Sequence, residues 1–125
     1  MGEIDSITIR TELEKIHGCL MTAVEAYKEA CRNHAIYKVK YMKLLAQRIA
    51  TYKSFKKNIG MEMCILTAMT DPDFEQRDEF IDTFDKYEYW KKIEPSFALE
   101  AEAWKGRSIF LQSLMRYDRE GERFG

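Results

Sequence analysis

Proline and glycine are scarce in this chain: two prolines, Pro72 and Pro95, and six glycines in 125 residues. An all-β fold needs a turn residue at nearly every reversal, so this supply excludes one and leaves long elements to dominate. Cysteine is limited to Cys19, Cys31 and Cys64. An odd number without CxxC spacing excludes a disulfide framework and points to reduced, partly buried thiols. No apolar run approaches the roughly 20 residues that cross a bilayer, and the first residues, Met1 to Ser6, carry neither a basic nor an apolar leader pattern. The expected location is the cytoplasm, with no membrane association. Net charge is nearly absent too, at −1, whereas nucleic-acid binders are usually basic. What is abundant is apolar material, 46% of the residues, beside 33% charged. That balance supports a folded core, and the length suits a single helical domain over residues 1–125.

Asp5 or Ser6 can cap a helix that meets only Gly18 as a weak point before Asn58-Ile59-Gly60, where Gly60 suits a left-handed helix end. The expectation is a helix over about 6–57. Two inner faces fit it. At a strict 3.5-residue period the face runs through Ile9, Leu13, Ile16, Leu20, Ala23, Tyr27, Ala30, His34, Tyr37, Tyr41, Leu44, Arg48, Thr51 and Phe55, three of them polar. Nearer 3.6 it passes through Leu13, Ile16, Leu20, Val24, Tyr27, Cys31, Ala35, Lys38, Met42, Leu45, Ile49 and Tyr52, with Lys38 the one polar exception, which favours a nearly straight helix. Residues 61–70 are Met-rich and predict a short bridging helix. Asp71 as N-cap with Pro72 at the first position then predicts a second long helix over about 72–120. Its inner face runs through Phe74, Phe80, Ile81, Phe84, Tyr87 and Trp90, resuming at Phe97, Ala101, Trp104, Leu111 and Met115. Pro95 is expected to kink this helix or break it.

Two matched helices joined by a short bridge predict an all-α fold, a long antiparallel hairpin. Charge supports the pairing. From Arg32 to Lys57 there are eight basic side chains and no acid, while Asp71 to Glu88 holds eight acids against Arg77 and Lys86. A turn near Cys64 would set Lys57 by Asp71, Lys53 near Glu75 and Arg48 near Asp82, an array that discriminates against misaligned pairing although each exposed pair contributes at most about 1 kcal/mol. Aromatics on more than one face of the second helix exceed what one partner helix covers. Either the chain folds back at Gly18 and Pro95 into a four-helix bundle, or two hairpins complete a bundle as a homodimer through Phe84, Trp90, Phe97 and Trp104. The dimer is favoured, because Gly18 alone rarely stops a helix.

No residue pattern demands catalysis, a cofactor or a metal. Cys31 and His34 stand at i and i+3, but as a nucleophile and base they lack any orienting loop, so a buried inert thiol is the better reading. His17, Cys19, Cys31 and His34 would be the one metal constellation, and their spacing along a straight helix does not close it. Asp71, Asp73 and Glu75 read as helix capping rather than a calcium loop. Three surfaces remain. The acidic face at Asp78, Glu79, Asp82 and Asp85 suits a protein partner. The basic stretch, with Lys38, Lys40, Lys43, Lys53, Lys56 and Lys57 interleaved with Tyr37, Tyr41, Tyr52 and Phe55, offers single-stranded nucleic-acid contact. The aromatic surplus offers self-association.

The run Ala26-Tyr27-Lys28-Glu29-Ala30, the Gly60 to Thr70 bridge, and Ala101-Glu102-Ala103-Trp104-Lys105-Gly106-Arg107 followed by Leu111 to Glu120 resemble the small helical accessory proteins encoded in early replication and recombination modules of phages of Gram-positive bacteria. The resemblance implies a non-enzymatic protein that acts by protein contact, beside DNA replication or recombination proteins. A second expectation is an inhibitor of a host defence nuclease, its acidic face imitating DNA phosphates in the manner of an anti-CRISPR protein. A third is single-strand binding through the basic stretch.

Overall fold

A computed structural model describes residues 6–56 and 58–124, with side chains described for 7–56 and 58–117. Three helices follow in order, α1 (Ser6–Phe55), α2 (Met61–Thr70) and α3 (Arg77–Phe124), and the described residues form no strand. α1 packs against α3 as the arms of a hairpin with the short α2 between them. Asp5, the Ser6 side chain and Lys57 lie outside the described residues, so the N-cap of α1 and the pairing of Lys57 with Asp71 do too.

α1 passes through Gly18 without interruption and α3 passes through Pro95, so the fold-back into four shorter helices does not occur. Pro95 removes the amide that would bond the Lys91 carbonyl. Both residues are exposed, which leaves that carbonyl to water. By packing, the chain divides into two compact units, one of residues 30–94 and one of residues 1–29 with 95–125.

The inner face of α1 is the one with a 3.5-residue period, not the straighter alternative. Ile9, Ala23, Ala30 and Tyr41 are buried, while Ala35, Lys38 and Met42 of the 3.6 reading are exposed. The polar residues that counted against this face, His34, Arg48 and Thr51, are half-buried on it. Phe55 departs from it and is 86% exposed. Toward the end of α1 the face widens to take in Leu45, Ile49 and Tyr52, because α2 supplies a second neighbour there. α3 answers with the same alternation of threes and fours: Phe80, Thr83, Tyr87, Trp90 and Glu94 are all buried or half-buried.

In the 30–94 unit the core gathers Tyr41, Leu45 and Tyr52 of α1, Cys64 and Ala68 of α2, and Phe74, Phe80 and Tyr87. Tyr41 is the hub: its ring lies 5.6 Å from Phe80, 5.3 Å from Phe84 and stacks on Tyr87 at 5.2 Å. Burial, with Glu88 and Tyr87 nearby, raises its phenol pKa above the ordinary 10.0. The other unit is thinner. Among its described residues only Ile9 and Ala23 are fully buried, and Phe97, Trp104 and Leu111 remain half-buried.

The connectors depart from expectation. Gly60 is extended, at φ −79° and ψ 164°, and stands as the N-cap of α2, its carbonyl accepting from Cys64 N–H at 3.0 Å. Asp71 ends α2 instead of starting α3. Its Oδ1 accepts from Asp73 N–H at 2.9 Å and its carbonyl from Phe74 N–H at 3.2 Å. This turn competes with helix propagation and drops Phe74 into the core, so α3 begins at Arg77.

Helix interiors penalise proline by about 3 kcal/mol and glycine by about 1 kcal/mol relative to alanine. Nothing lies within 4 Å of a Cβ placed on Gly18 or Gly106. Pro95→Ala is therefore expected to stabilise the protein by about 1–3 kcal/mol, and Gly18→Ala by about 0.5–1 kcal/mol. Thermal and urea denaturation check both; a lowered midpoint for Pro95→Ala would show that the proline ring is part of the packing.

Candidate functional site

Two polar clusters bracket the aromatic stack of the 30–94 unit. In the first, His34 Nδ1 lies 2.7 Å from Glu94 Oε2, both side chains about three-quarters covered, and the imidazole leans on the Tyr87 ring at 5.5 Å. The Cys31 thiol also donates to the Glu94 carboxylate. With Glu94 ionised, both partners donate to it. The thiol bond first, then the bond and charge of His34, hold the Glu94 carboxyl below the ordinary 4.5 against the opposing pull of partial burial. His34 Nε2 is buried and has no hydrogen-bond partner.

In the second cluster, the Arg48 guanidinium lies over the Phe74 ring at 3.8 Å and near the Tyr52 ring at 5.8 Å. The Tyr52 hydroxyl bonds Arg48 and donates to Asp71 Oδ2 at 3.1 Å. Burial raises the Tyr52 phenol above its ordinary 10.0, with the bond from Arg48 opposing and that to Asp71 reinforcing the rise. The residue expected to pair with Asp82 thus sits over Phe74, in the connector before α3.

The chemistry open to Cys31 and His34 follows from where their protons point. An activated thiol needs its hydrogen aimed at a base that is itself oriented by a third group. Here the third group is present, but Glu94 takes the thiol and the imidazole together, so the thiol proton is not directed to His34. The cluster works as a clamp between α1 and α3. Glu94 escapes notice in the sequence because it precedes Pro95 and reads as the edge of a helix break; the 3.5-residue period would have placed it opposite His34. Cys19 is exposed and Cys64 buried, and the described residues contain no group of three His, Cys, Asp or Glu side chains that would hold a metal ion.

The charged stretches do not zip together as expected. Asp82 pairs with Lys86 at 3.0 Å along its own helix, raising the Lys86 pKa above 10.5, and Asp78 lies 3.7 Å from Arg77. Lys40 and Lys86 both stand over the Tyr37 ring, at 5.6 and 5.5 Å. Among the described residues Lys38, Lys43, Lys53 and Lys56 reach no carboxylate and are exposed, as are Asp78, Glu79, Asp82 and Asp85. Of the tyrosines interleaved with the lysines, Tyr41 and Tyr52 are buried. Of the aromatics assigned to self-association, Phe84 packs on Tyr41, Trp90 meets Tyr89 edge-on at 5.1 Å, and Trp104 carries Arg107 at 4.5 Å. Phe97 is half-buried. No protein-family model, curated protein or solved structure matches this chain.

A carboxyl whose folded pKa is depressed stabilises the fold fully above its unfolded value and loses that contribution as the pH falls through the lower folded value. Glu94→Gln is therefore expected to lower the thermal midpoint at pH 6–7, with the gap to the wild type closing as pH falls below about 4. A gap independent of pH would show that the carboxylate charge is not what the thiol and imidazole stabilise.

Proposed function

We propose that this chain is a non-enzymatic accessory protein, of the type found in phage replication and recombination modules, that acts through protein contacts as a homodimer. The observation that carries the reading is the outward, uncommitted acidic face of α3. Asp78, Asp82 and Asp85 follow one line of α3 at spacings of four and three, all exposed. The ion pairs of Asp78 and Asp82 stay within α3 and are solvent-exposed, so they contribute little to the fold. The hairpin does not need this face, which leaves it free for recognition.

The same observation favours a second reading, an inhibitor of a host defence nuclease that presents this acidic line to a basic nucleic-acid channel. Direct single-strand binding through the lysines gains less support, since Tyr41 and Tyr52 face the core and, of the rings interleaved with the lysines, leave Phe55 the one exposed ring. Self-association rests on the thin unit: Leu99, Ile109 and Phe110 are more than half exposed beside half-buried Phe97 and Trp104. A second copy would complete a four-helix packing there.

Two experiments test the proposal. Reversing Asp82 and Asp85 to lysine, beyond the first turn where Asp78 and Glu79 support the helix start, should abolish capture of a specific host protein while leaving the thermal midpoint nearly unchanged, and the identity of that protein separates replication from defence machinery. Retained capture with a lowered midpoint would reduce the acids to a structural role. Sedimentation equilibrium should report a dimer at micromolar concentration, and Phe110→Glu should dissociate it with helicity kept; a wild-type monomer at about 100 μM would remove the dimer from the account.

A further inference from the structure

α1 carries a second line opposite its core face. Ile36, Val39, Lys43, Ala46, Ala50 and Lys53 recur at the same alternation of threes and fours as the inner residues, and every one of them is exposed. Ile36 is 50% and Val39 67% accessible. Alanines suit any helix, but exposed Ile36 and Val39 are poorer helix formers whose place on one line with them suits a helix that packs on a second side. This stretch has no acid between Arg32 and Lys57, so whatever covers the line meets cations on its flanks.

The charge decides among occupants. Two copies of the line facing each other would bring Lys43 and Lys53 into a surface with no carboxylate to receive them. The acidic outer line of α3 from a neighbouring copy, Asp78, Asp82 and Asp85, offers charge but carries no apolar side chain to cover Ile36 and Val39, since Phe80, Ile81 and Phe84 turn inward. Nucleic acid would leave the aliphatic centre of the line against phosphate. We infer that the outer face of α1 from Ile36 to Lys53 is a docking surface for an amphipathic helix of another protein, one with an apolar stripe flanked by glutamate or aspartate. The inference rests on the protein-contact reading above and names the partner's chemistry at a surface separate from the acidic face.

The test uses the full chain and a fluorescein-labelled synthetic helix of about three heptads, leucine at its inner positions and glutamate beside them. A lysine-flanked version and an oligothymidine serve as competitors. Fluorescence anisotropy should show binding of the glutamate peptide that weakens with added salt. Ile36→Ser with Val39→Ser, and separately Lys43→Glu with Lys53→Glu, should each cost about tenfold or more in affinity. All four residues are exposed, so circular dichroism should be unchanged. Absence of binding, equal binding of the lysine peptide, or full affinity in the serine pair would overturn the inference. So would oligothymidine binding sensitive to the lysine reversals alone, which assigns the face to nucleic acid, or conversion of a dimer to a monomer by the serine pair, which assigns it to self-association. Failure of the peptide removes this surface only; retained capture by the acidic-face variant removes the broader reading.

Discussion

The packing of α1 on α3 depends on polar residues held inside a helical seam. Aliphatic side chains at heptad positions slide past one another at small cost, so a hairpin of two long helices has many registers of similar energy. His34 bonded to Glu94 at one end and Arg48 laid over Phe74 at the other admit one. Shifting either helix by a turn would leave a carboxylate, an imidazole and a guanidinium half-buried without partners, a loss of several kcal/mol. The aromatic stack around Tyr41 fills the interval between these clamps and adds about 0.5–1.5 kcal/mol for each ring pair beyond simple burial.

This arrangement has a consequence at the surface. Because the register is held from inside, the charged outer faces are released from structural duty. Asp78 and Asp82 pair with Arg77 and Lys86 of their own helix, and Lys38, Lys43 and Lys53 of α1 are exposed and reach no carboxylate. A chain of net charge −1 thus presents a strongly acidic face and a strongly basic one, each continuous along a rigid helix. Such faces set partner choice and association rate more than affinity, in keeping with the proposed role in protein contact.

Much of the fold was legible in the sequence. The scarcity of turn residues, the Met-rich bridge and the helical periodicity gave the all-α hairpin, and α2 falls on Met61–Thr70 as expected. The register is not legible in the sequence, because charge alone matches Arg48 to Asp82 while a guanidinium gains more by covering Phe74 and Tyr52 than by reaching an exposed acid. The same reading of charge hides the inner face of α1, since His34, Arg48 and Thr51 look like faults in a heptad when they are what fixes it. The start of α3 was misplaced because Asp71 and Pro72 fit a helix cap and a turn equally well, and the choice between them is made by Phe74 entering a core that no local pattern reveals.

The register is tested most directly by the proton resonances of Arg48. With its guanidinium 3.8 Å from the Phe74 ring centre, the Arg48 side-chain methylenes should be shifted upfield by the ring and show nuclear Overhauser contacts to Phe74. The His34 ring should likewise contact Tyr87. Ordinary shifts for Arg48, with its contacts running to Asp82 and its neighbours, would contradict the account and restore the pairing by surface charge.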